Sequence, residues 1–387
     1  MQTEQPIRVA VLGAGGLGKA AARIIGMKRE LALTAICDSR GLVASSDGLD
    51  CGVVAGLTGD LVEGFRLACA AHERVESSGA ASRRAQAGVP QPAWSPEASQ
   101  RQSSTRLGRP EAGEGRGVGV VTEVEARHAA DPIGELLAMR EAFDAVLIAL
   151  PNLPNEFIPS IIERFARADA SCVFVDVLKR TRAVELMFAL DGLVKRSRSV
   201  VLTGCGATPG LLAAAAVLAA QSFIEVEQVD IWWGVGIANW DAYKATIRED
   251  IAHLPGYTVE RAKAMTDEEV EALLERTNGI LELRHMEHAD DLLLQRVGVV
   301  DDLERVEVGG VMDTRHPKKP VSTTMTLTGV TFDGKRSSHK FILGDETTMA
   351  ANVIGPALGY LKRGLWLRSH GLFGVFGCTE FLPMVVR

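Results

Sequence analysis

The sequence has no excess of basic residues: 42 lysines and arginines stand against 49 aspartates and glutamates, a formal net charge of -7. That excludes a broadly cationic surface and argues against nucleic acid as the main partner. Small anions stay open, because backbone N–H groups bind phosphate on acidic proteins too. Cysteine pairing is also missing. The six cysteines, Cys37, Cys51, Cys69, Cys172, Cys205 and Cys378, form no C-x-x-C pair, and the chain is far too long for a disulfide-stapled mini-domain. Their apolar surroundings fit a reducing compartment. A long apolar run is absent as well: Leu211–Ala220 is about half of what a bilayer span requires. Met1–Arg8 has no apolar core of a secretory signal. These absences predict a cytoplasmic protein with no membrane partner.

What is present is globular. With 387 residues, 47% of them hydrophobic, the chain can bury a sizeable core and is expected to form two domains. Ile7–Leu12 (IRVAVL) is a β-branched run ending at glycine, the pattern of a buried parallel strand. A helix over Leu17–Met27 and a second strand over Leu33–Cys37 follow, and then the signal blurs between Asp38 and Arg74. Residues 76–117 hold only Val89, Trp94 and Leu107 as large apolar groups, so they are predicted to be a disordered insertion in a surface loop. Val118–Glu123, Ala145–Leu150, Cys172–Val177 and Val200–Thr203 read as strands, alternating with helices that include Phe157–Ala168 and Ala183–Arg196. The alternation predicts an α/β fold, a doubly wound parallel Rossmann sheet over residues 1–208.

Beyond Pro209 the pattern changes. A helix over Leu211–Ser222, a strand over Val226–Val235 and a charged helical region over Trp240–Arg296 precede strand signals at Val306–Met312, Thr323–Thr331 and Lys340–Leu343. Phe332-Asp333-Gly334-Lys335 is a hairpin signal between the last two. Residues 209–346 are thus expected to be a second, α+β domain with antiparallel strands, for substrate or dimerisation. In residues 347–387, a helix over Thr347–Leu367 is expected to return to the first domain.

Val9–Gly18 reads VAVLGAGGLG, so Gly13-x-Gly15-x-x-Gly18 lies between a strand and a helix. Gly13 permits the tight turn, Gly15 the approach of a pyrophosphate, and Gly18 close helix–strand packing, while Gly16 and Leu17 open the helix whose N–H groups face the anion. Asp38 ends the second strand 20 residues after Gly18, where a carboxylate would accept from ribose hydroxyls. Asp38 points to NAD, whereas Arg40 would pair with the 2′-phosphate of NADP; both cofactors stay open.

Three further segments, FDAVLIALPNLPNEFI (Phe143–Ile158), VDVLKRTRAVE (Val175–Glu185) and TGCGATPGLLAAAA (Thr203–Ala216), resemble the saccharopine dehydrogenase-like oxidoreductases. Gly234–Tyr257 and Leu343–Leu361 extend the likeness over nearly the whole chain except residues 76–117. DAVLIALPN is similar, more distantly, to the glucose–fructose oxidoreductase group. The resemblance implies NAD(P) binding, a Rossmann domain closed by the C-terminal helix, and a homodimer. Thr208 replaces the aspartate of the GxDPG pattern of true saccharopine reductases, so saccharopine itself is a doubtful substrate.

Residues just past the strand ends are the candidates for chemistry. Leu150, Pro151 and Asn152, with Asp176, would contact the cofactor. Lys179 is the first candidate acid or base, since the glucose–fructose oxidoreductase group places a lysine after the corresponding strand; the alternative is a surface residue of the cluster Lys179-Arg180-Thr181-Arg182. Asp176 and His253 complete the catalytic set, although a structural role before a turn also explains His253. Thr208, Asn239, Tyr243, Lys244 and Arg248 would line a pocket for an acidic substrate, or form a solvated helix face. His285-x-x-His288 with Asp290 and Asp291 lacks a clear third ligand, so no metal is expected. Trp232 and Trp233 must face opposite sides of their strand. The expected activity is hydride transfer on an amino-acid-like or imine substrate; the alternative is a non-catalytic dinucleotide-binding sensor or scaffold.

Overall fold

The computed structural model describes residues 5–71, 124–151, 153–237, 244–344 and 348–387. The expected insertion at 76–117, the strand expected at Val118–Glu123, and Asn152, Asn239 and Tyr243 lie outside the described residues, as does the side chain of Lys244.

Two sheets organise the chain. The first has eight strands in the order β13-β7-β6-β5-β1-β2-β3-β4. Its centre is parallel: β1 (Ile7–Leu12), β2 (Leu31–Cys37), β5 (Ala145–Ile148), β6 (Val173–Asp176) and β7 (Val200–Thr203). All four residues of β5, β6 and β7 are buried, as strands covered by helices on both faces require. Helices around this sheet include α1 (Gly16–Gly26), α4 (Pro132–Ala138), α5 (Phe157–Arg167), α6 (Thr181–Ala189) and α7 (Asp191–Arg196). The C-terminal helix α13 (Met349–Ser369) packs across β5, β6, β7 and α1. After it, β13 (Gly374–Gly377) joins β7 in parallel as an edge strand, an element with too short an apolar run to be read from the sequence.

The stretch after Asp38, where the sequence signal blurs, adds two antiparallel strands to the edge of the doubly wound parallel sheet. Here β3 (Gly41–Ala44) runs antiparallel to β2, and β4 (Glu125–His128) antiparallel to β3. Asp38–Arg40 is the only connection between β2 and β3, far too short for the crossover that parallel pairing needs. Helices α2 (Cys51–Gly56) and α3 (residues 61–71) follow β3.

The second sheet has the order β12-β11-β8-β10-β9. Its spine is β8 (Phe223–Gly236), paired antiparallel with β11 (Thr323–Thr331), which pairs antiparallel with β12 (Arg336–Leu343). On the other side β10 (Val306–Asp313) runs parallel to β8, because a long helical region between them supplies a crossover. That region is interrupted by β9 (Ile280–Leu283), antiparallel to β10. Gly309 and Gly310 sit opposite Trp232 and Trp233; a Cβ on Gly310 would lie 2.2 Å from the Trp233 ring, so glycine makes room for both indoles.

Helix α8 (Leu211–Ala220) is apolar on every side and lies between the sheets, against β8 and β11. One core cluster accordingly joins Val200 and Leu202 of the first sheet to Val229, Ile231, Met325 and Leu327 of the second. A separate core gathers α9 (Lys244–Ile251), α10 (Val259–Ala264) and α11 (Asp267–Arg276) under Leu281, Leu283 and Met312.

Candidate active site

The site begins at the carboxyl end of β6. Asp176 is fully buried there, and its Oδ1 accepts from Leu178 N (3.0 Å), Thr203 Oγ1 (3.0 Å) and Gly204 N (2.9 Å). Those bonds tie the loop after β6 to the end of β7. Burial pushes Asp176 up to about 6, against the three hydrogen bonds that pull it down. Its Oδ2 is buried with no hydrogen-bond partner. Asp176 is therefore a strut beneath the site, not a member of the cavity wall.

The loop that Asp176 fixes carries Lys179. The Lys179 backbone carbonyl accepts from Ala289 N at 2.8 Å, linking it to the turn before α12 (Asp290–Arg296). Its ammonium lies 3.8 Å from Oδ1 of Asp250, a buried residue near the end of α9. Beside them, His288 Nδ1 is 2.6 Å from Asp290 Oδ2, and Thr208 Oγ1 donates to the same oxygen at 2.8 Å. His288 is 4% exposed and Asp290 0%, so the pair is shielded from water.

Lys179, Thr208, Asp250 and His288 all line one cavity of about 620 Å³ between the two sheets. That volume suits a small-molecule ligand. Trp233, Ile237, Met286, Met312, Leu343 and Val353 supply apolar walls. Lys318 and Lys319, on the loop after β10, are further cationic groups of the lining, and Lys319 Nζ donates to Gly344 O at 3.2 Å. Trp232 points to the opposite face of β8, under the Arg284 guanidinium at 5.0 Å.

Several expected site residues lie elsewhere. His253 lines a different hollow of about 650 Å³ with Glu282, Arg284 and His285. Arg248 is spent on Met265 O and the Asp267 carboxylate, which anchors α9 to the start of α11. Leu150 stands near the glycine turn, where a Cβ on Gly13 would come within 3.4 Å of it, and exposed Pro151 follows it. Sequence reasoning misses Asp250 and sets His288 and Asp290 aside with a metal site. The His-x-Asp spacing is the signal that could have found them. Among the described residues no group of three or more His, Cys, Asp or Glu is arranged to hold a metal. Burial disfavours the thiolate at the four buried cysteines, raising Cys37 and Cys172 to about 12 and Cys205 and Cys378 well above the ordinary thiol value.

The glycine turn is built as its spacing predicts, with Gly13 at φ +109° and a Cβ on Gly18 only 1.7 Å from Gly13 O. Gly15 and Gly16 have open space, and Leu17 packs against the core. The two residues assigned to the ribose and its phosphate, however, have local partners. Asp38 Oδ1 accepts from Arg40 N (2.8 Å) and Gly41 N (3.1 Å), holding the β2–β3 turn, and Arg40 lies 3.6 Å from Asp60.

Comparison with known proteins bears directly on these expectations. The chain is 42% identical, over 378 residues, to (S)-8-amino-7-oxononanoate synthase BioU of Haloferax mediterranei, spanning 97% of this chain and 99% of that protein. No family profile matches it. Solved structures with a similar fold include an engineered D-amino acid dehydrogenase bound to NADP+ (14% identity, TM-score 0.50) and the C. glutamicum DAP dehydrogenase in complex with DAP (13% identity, TM-score 0.51). Each likeness covers 97% of this chain and 94% of the other. At that identity they establish the Rossmann-like α/β architecture alone.

The synthase relative corrects the saccharopine dehydrogenase-like assignment and, with it, the expected hydride transfer on an amino-acid-like or imine substrate. It also overturns the classification as an NAD(P)-dependent dehydrogenase, the nicotinamide dinucleotide as cofactor and partner, and the sensor or scaffold alternative. The physical reason is that a glycine turn between strand and helix records how the backbone packs, and one fold carries many chemistries. No helix among the described residues is long and apolar enough to cross a membrane. By its near-full-length identity to the haloarchaeal enzyme, the chain belongs to the BioU family of 8-amino-7-oxononanoate synthases.

Proposed function

We propose that the chain is an enzyme that forms 8-amino-7-oxononanoate, or an amino-oxo alkanoate of that class, in the cavity between its two sheets. The observation that carries this reading is the Lys179–Asp250 pair on the cavity wall. A lysine amine adds to a ketone carbon, and a carboxylate beside it takes up the proton the nitrogen releases. The lining suits the rest of such a molecule. A nonanoate has a carboxylate at one end, a run of methylenes, and a polar amino-ketone head. Lys318 and Lys319 offer cations for the carboxylate, Trp233, Ile237 and Met312 an apolar wall for the methylenes, and Lys179 with Asp250 a reactive group for the oxo carbon. Thr208, which lines the same cavity and bonds Asp290, supports the reading from the side of the reactive end.

The test is direct. Purified protein is titrated with 8-amino-7-oxononanoate by calorimetry, then treated with borohydride and digested for mass spectrometry. Saturable binding and a reduced adduct on Lys179 are expected. No heat of binding, or an adduct spread over surface lysines, would remove the reading.

A further inference from the structure

We propose that His288 is the proton donor that completes carbinolamine dehydration in this cavity, with Asp290 as its positioning residue. The inference rests on the reading of Lys179 and Asp250 given above and adds a third catalytic group to it. When the Lys179 nitrogen joins the oxo carbon, the former ketone oxygen must depart as water. A proton has to reach that oxygen as the C–O bond breaks and the C=N bond forms. Asp250 passes the nitrogen's own proton to that oxygen during addition, giving the carbinolamine hydroxyl, and the departure of the hydroxyl takes a second proton. The oxygen needs a different donor.

His288 has the geometry for it. It lines the same cavity as Lys179, and it sits in the turn whose Ala289 N–H donates to the Lys179 carbonyl at 2.8 Å. Its Nδ1 is held by Asp290 Oδ2 at 2.6 Å, so Nε2 is the nitrogen left for a ligand. Asp290 is itself fixed by Thr208 Oγ1 at 2.8 Å, while its Oδ1 is buried without a hydrogen-bond partner. A carboxylate that orients an imidazole and stabilises its cation is the arrangement that makes histidine an acid–base catalyst. The arrangement serves no evident packing need. An apolar trio of the same volume would fill the space without the cost of burying a carboxylate.

Other ionisable groups bear on His288. Glu287, Asp290 and Asp291 flank it in sequence, Cys378 lies near Asp290, and Lys179 and Asp250 face the same cavity. A pH profile must therefore be read by substitution rather than by shape alone.

The experiment measures, against pH, the rate at which 8-amino-7-oxononanoate forms the borohydride-trapped Lys179 adduct. His288→Ala should slow adduct formation by about 10²-fold, within the usual range for a general acid. Added imidazole should restore part of the rate, and Asp290→Asn should alter the pH dependence. His288→Gln, nearer in volume, serves if the alanine variant does not fold. A slow variant that imidazole does not rescue, with an unchanged pH profile in Asp290→Asn, would mean that His288 only supports the fold. Wild-type rates in His288→Ala, with Lys179→Ala inactive, would overturn this inference and leave the Lys179 reading standing. If wild-type protein binds no 8-amino-7-oxononanoate at all, both fall.

Discussion

The glycine turn after β1 and the cavity between the sheets both lie at the ends of parallel strands, yet they dispose their polar groups in opposite ways. Around the turn, the two charged side chains meet neighbours close at hand: Asp38 Oδ1 accepts from Arg40 N and Gly41 N, and Arg40 pairs with Asp60. In the cavity, groups from four separate stretches of chain converge. Lys179, Asp250, His288 and Thr208 line it, and Asp290 holds His288 Nδ1 and accepts from Thr208. Asp38 and Arg40 thus hold the shape of their own turn. A buried set that stays reactive, at the desolvation cost of Asp250 and Asp290, points to function.

The largest expected effect separates the two regions by activity. Lys179→Ala should abolish the borohydride-trapped adduct, a fall of about 10²-fold or more in rate. Asp38→Ala should leave adduct formation within about twofold of wild type, because its partners are the amides of its own turn. Equal losses in the two variants, with both still folded by circular dichroism, would erase the contrast.

Stability should divide them the other way. Gly18→Ala puts a methyl 1.7 Å from the Gly13 carbonyl oxygen, and backbone cannot yield cheaply there. A loss of about 3 kcal/mol, seen as a lower denaturant midpoint, is expected from overpacking. Gly16 starts α1 with nothing within 4 Å of an added methyl, so Gly16→Ala should change stability by no more than about 0.5 kcal/mol. A tolerated Gly18→Ala would show that α1 can shift away from β1.

Asp176 sharpens the comparison from below the cavity. Its carboxyl is raised from 3.8 to about 6 by burial, so the unfolded chain releases this proton first. The folded state's advantage is intact below about pH 4 and is lost as pH rises through about 6, by about 3 kcal/mol in all. Asp176→Asn does not titrate. Relative to wild type it should therefore gain stability between pH 4 and pH 7, measured by urea unfolding. A constant difference across that range would mean that Asp176 ionises at its ordinary value when folded.

How much of this is legible in the sequence follows from where the contacts run. The strands Ile7–Leu12, Val200–Thr203 and Thr323–Thr331 can be read off their own residues, because burial on both faces or alternate burial is a local pattern. β3 and β13 cannot, since GLVA lies in a glycine-rich stretch and GVFG is bounded by glycines, so neither offers the run of β-branched residues that marks Val200–Thr203. The site divides similarly. Lys179 stands just past a recognisable strand and stands out there. Asp250 lies in a charged helix whose sequence resembles any solvated one, and only the tertiary fold turns it inward beneath Lys179. His288 and Asp290 are visible as a cluster, but their meaning depends on Thr208, 82 positions before Asp290. The glycine motif is the clearest local signal and the poorest guide to chemistry, since it reports how a strand meets a helix.

The smallest expected effect concerns the far wall of the cavity. Lys318 is exposed, and Lys319 is partly buried with its ammonium on the Gly344 carbonyl, so neither holds the fold through a buried ion pair. If they receive the carboxylate of the bound amino-oxo acid, replacing both by alanine removes attraction that is the same in the ground and transition states of adduct formation. The concentration of 8-amino-7-oxononanoate needed for half-maximal adduct formation should then rise about tenfold, with the maximal rate unchanged. Solvent screening keeps the figure from being larger. The variant should also lose its preference for the free acid over the methyl ester, since the ester carries no charge for a lysine to meet. A fall in maximal rate with half-saturation unchanged would instead place these lysines at the reacting end, beside Lys179, and would reverse the direction in which the bound amino-oxo acid lies.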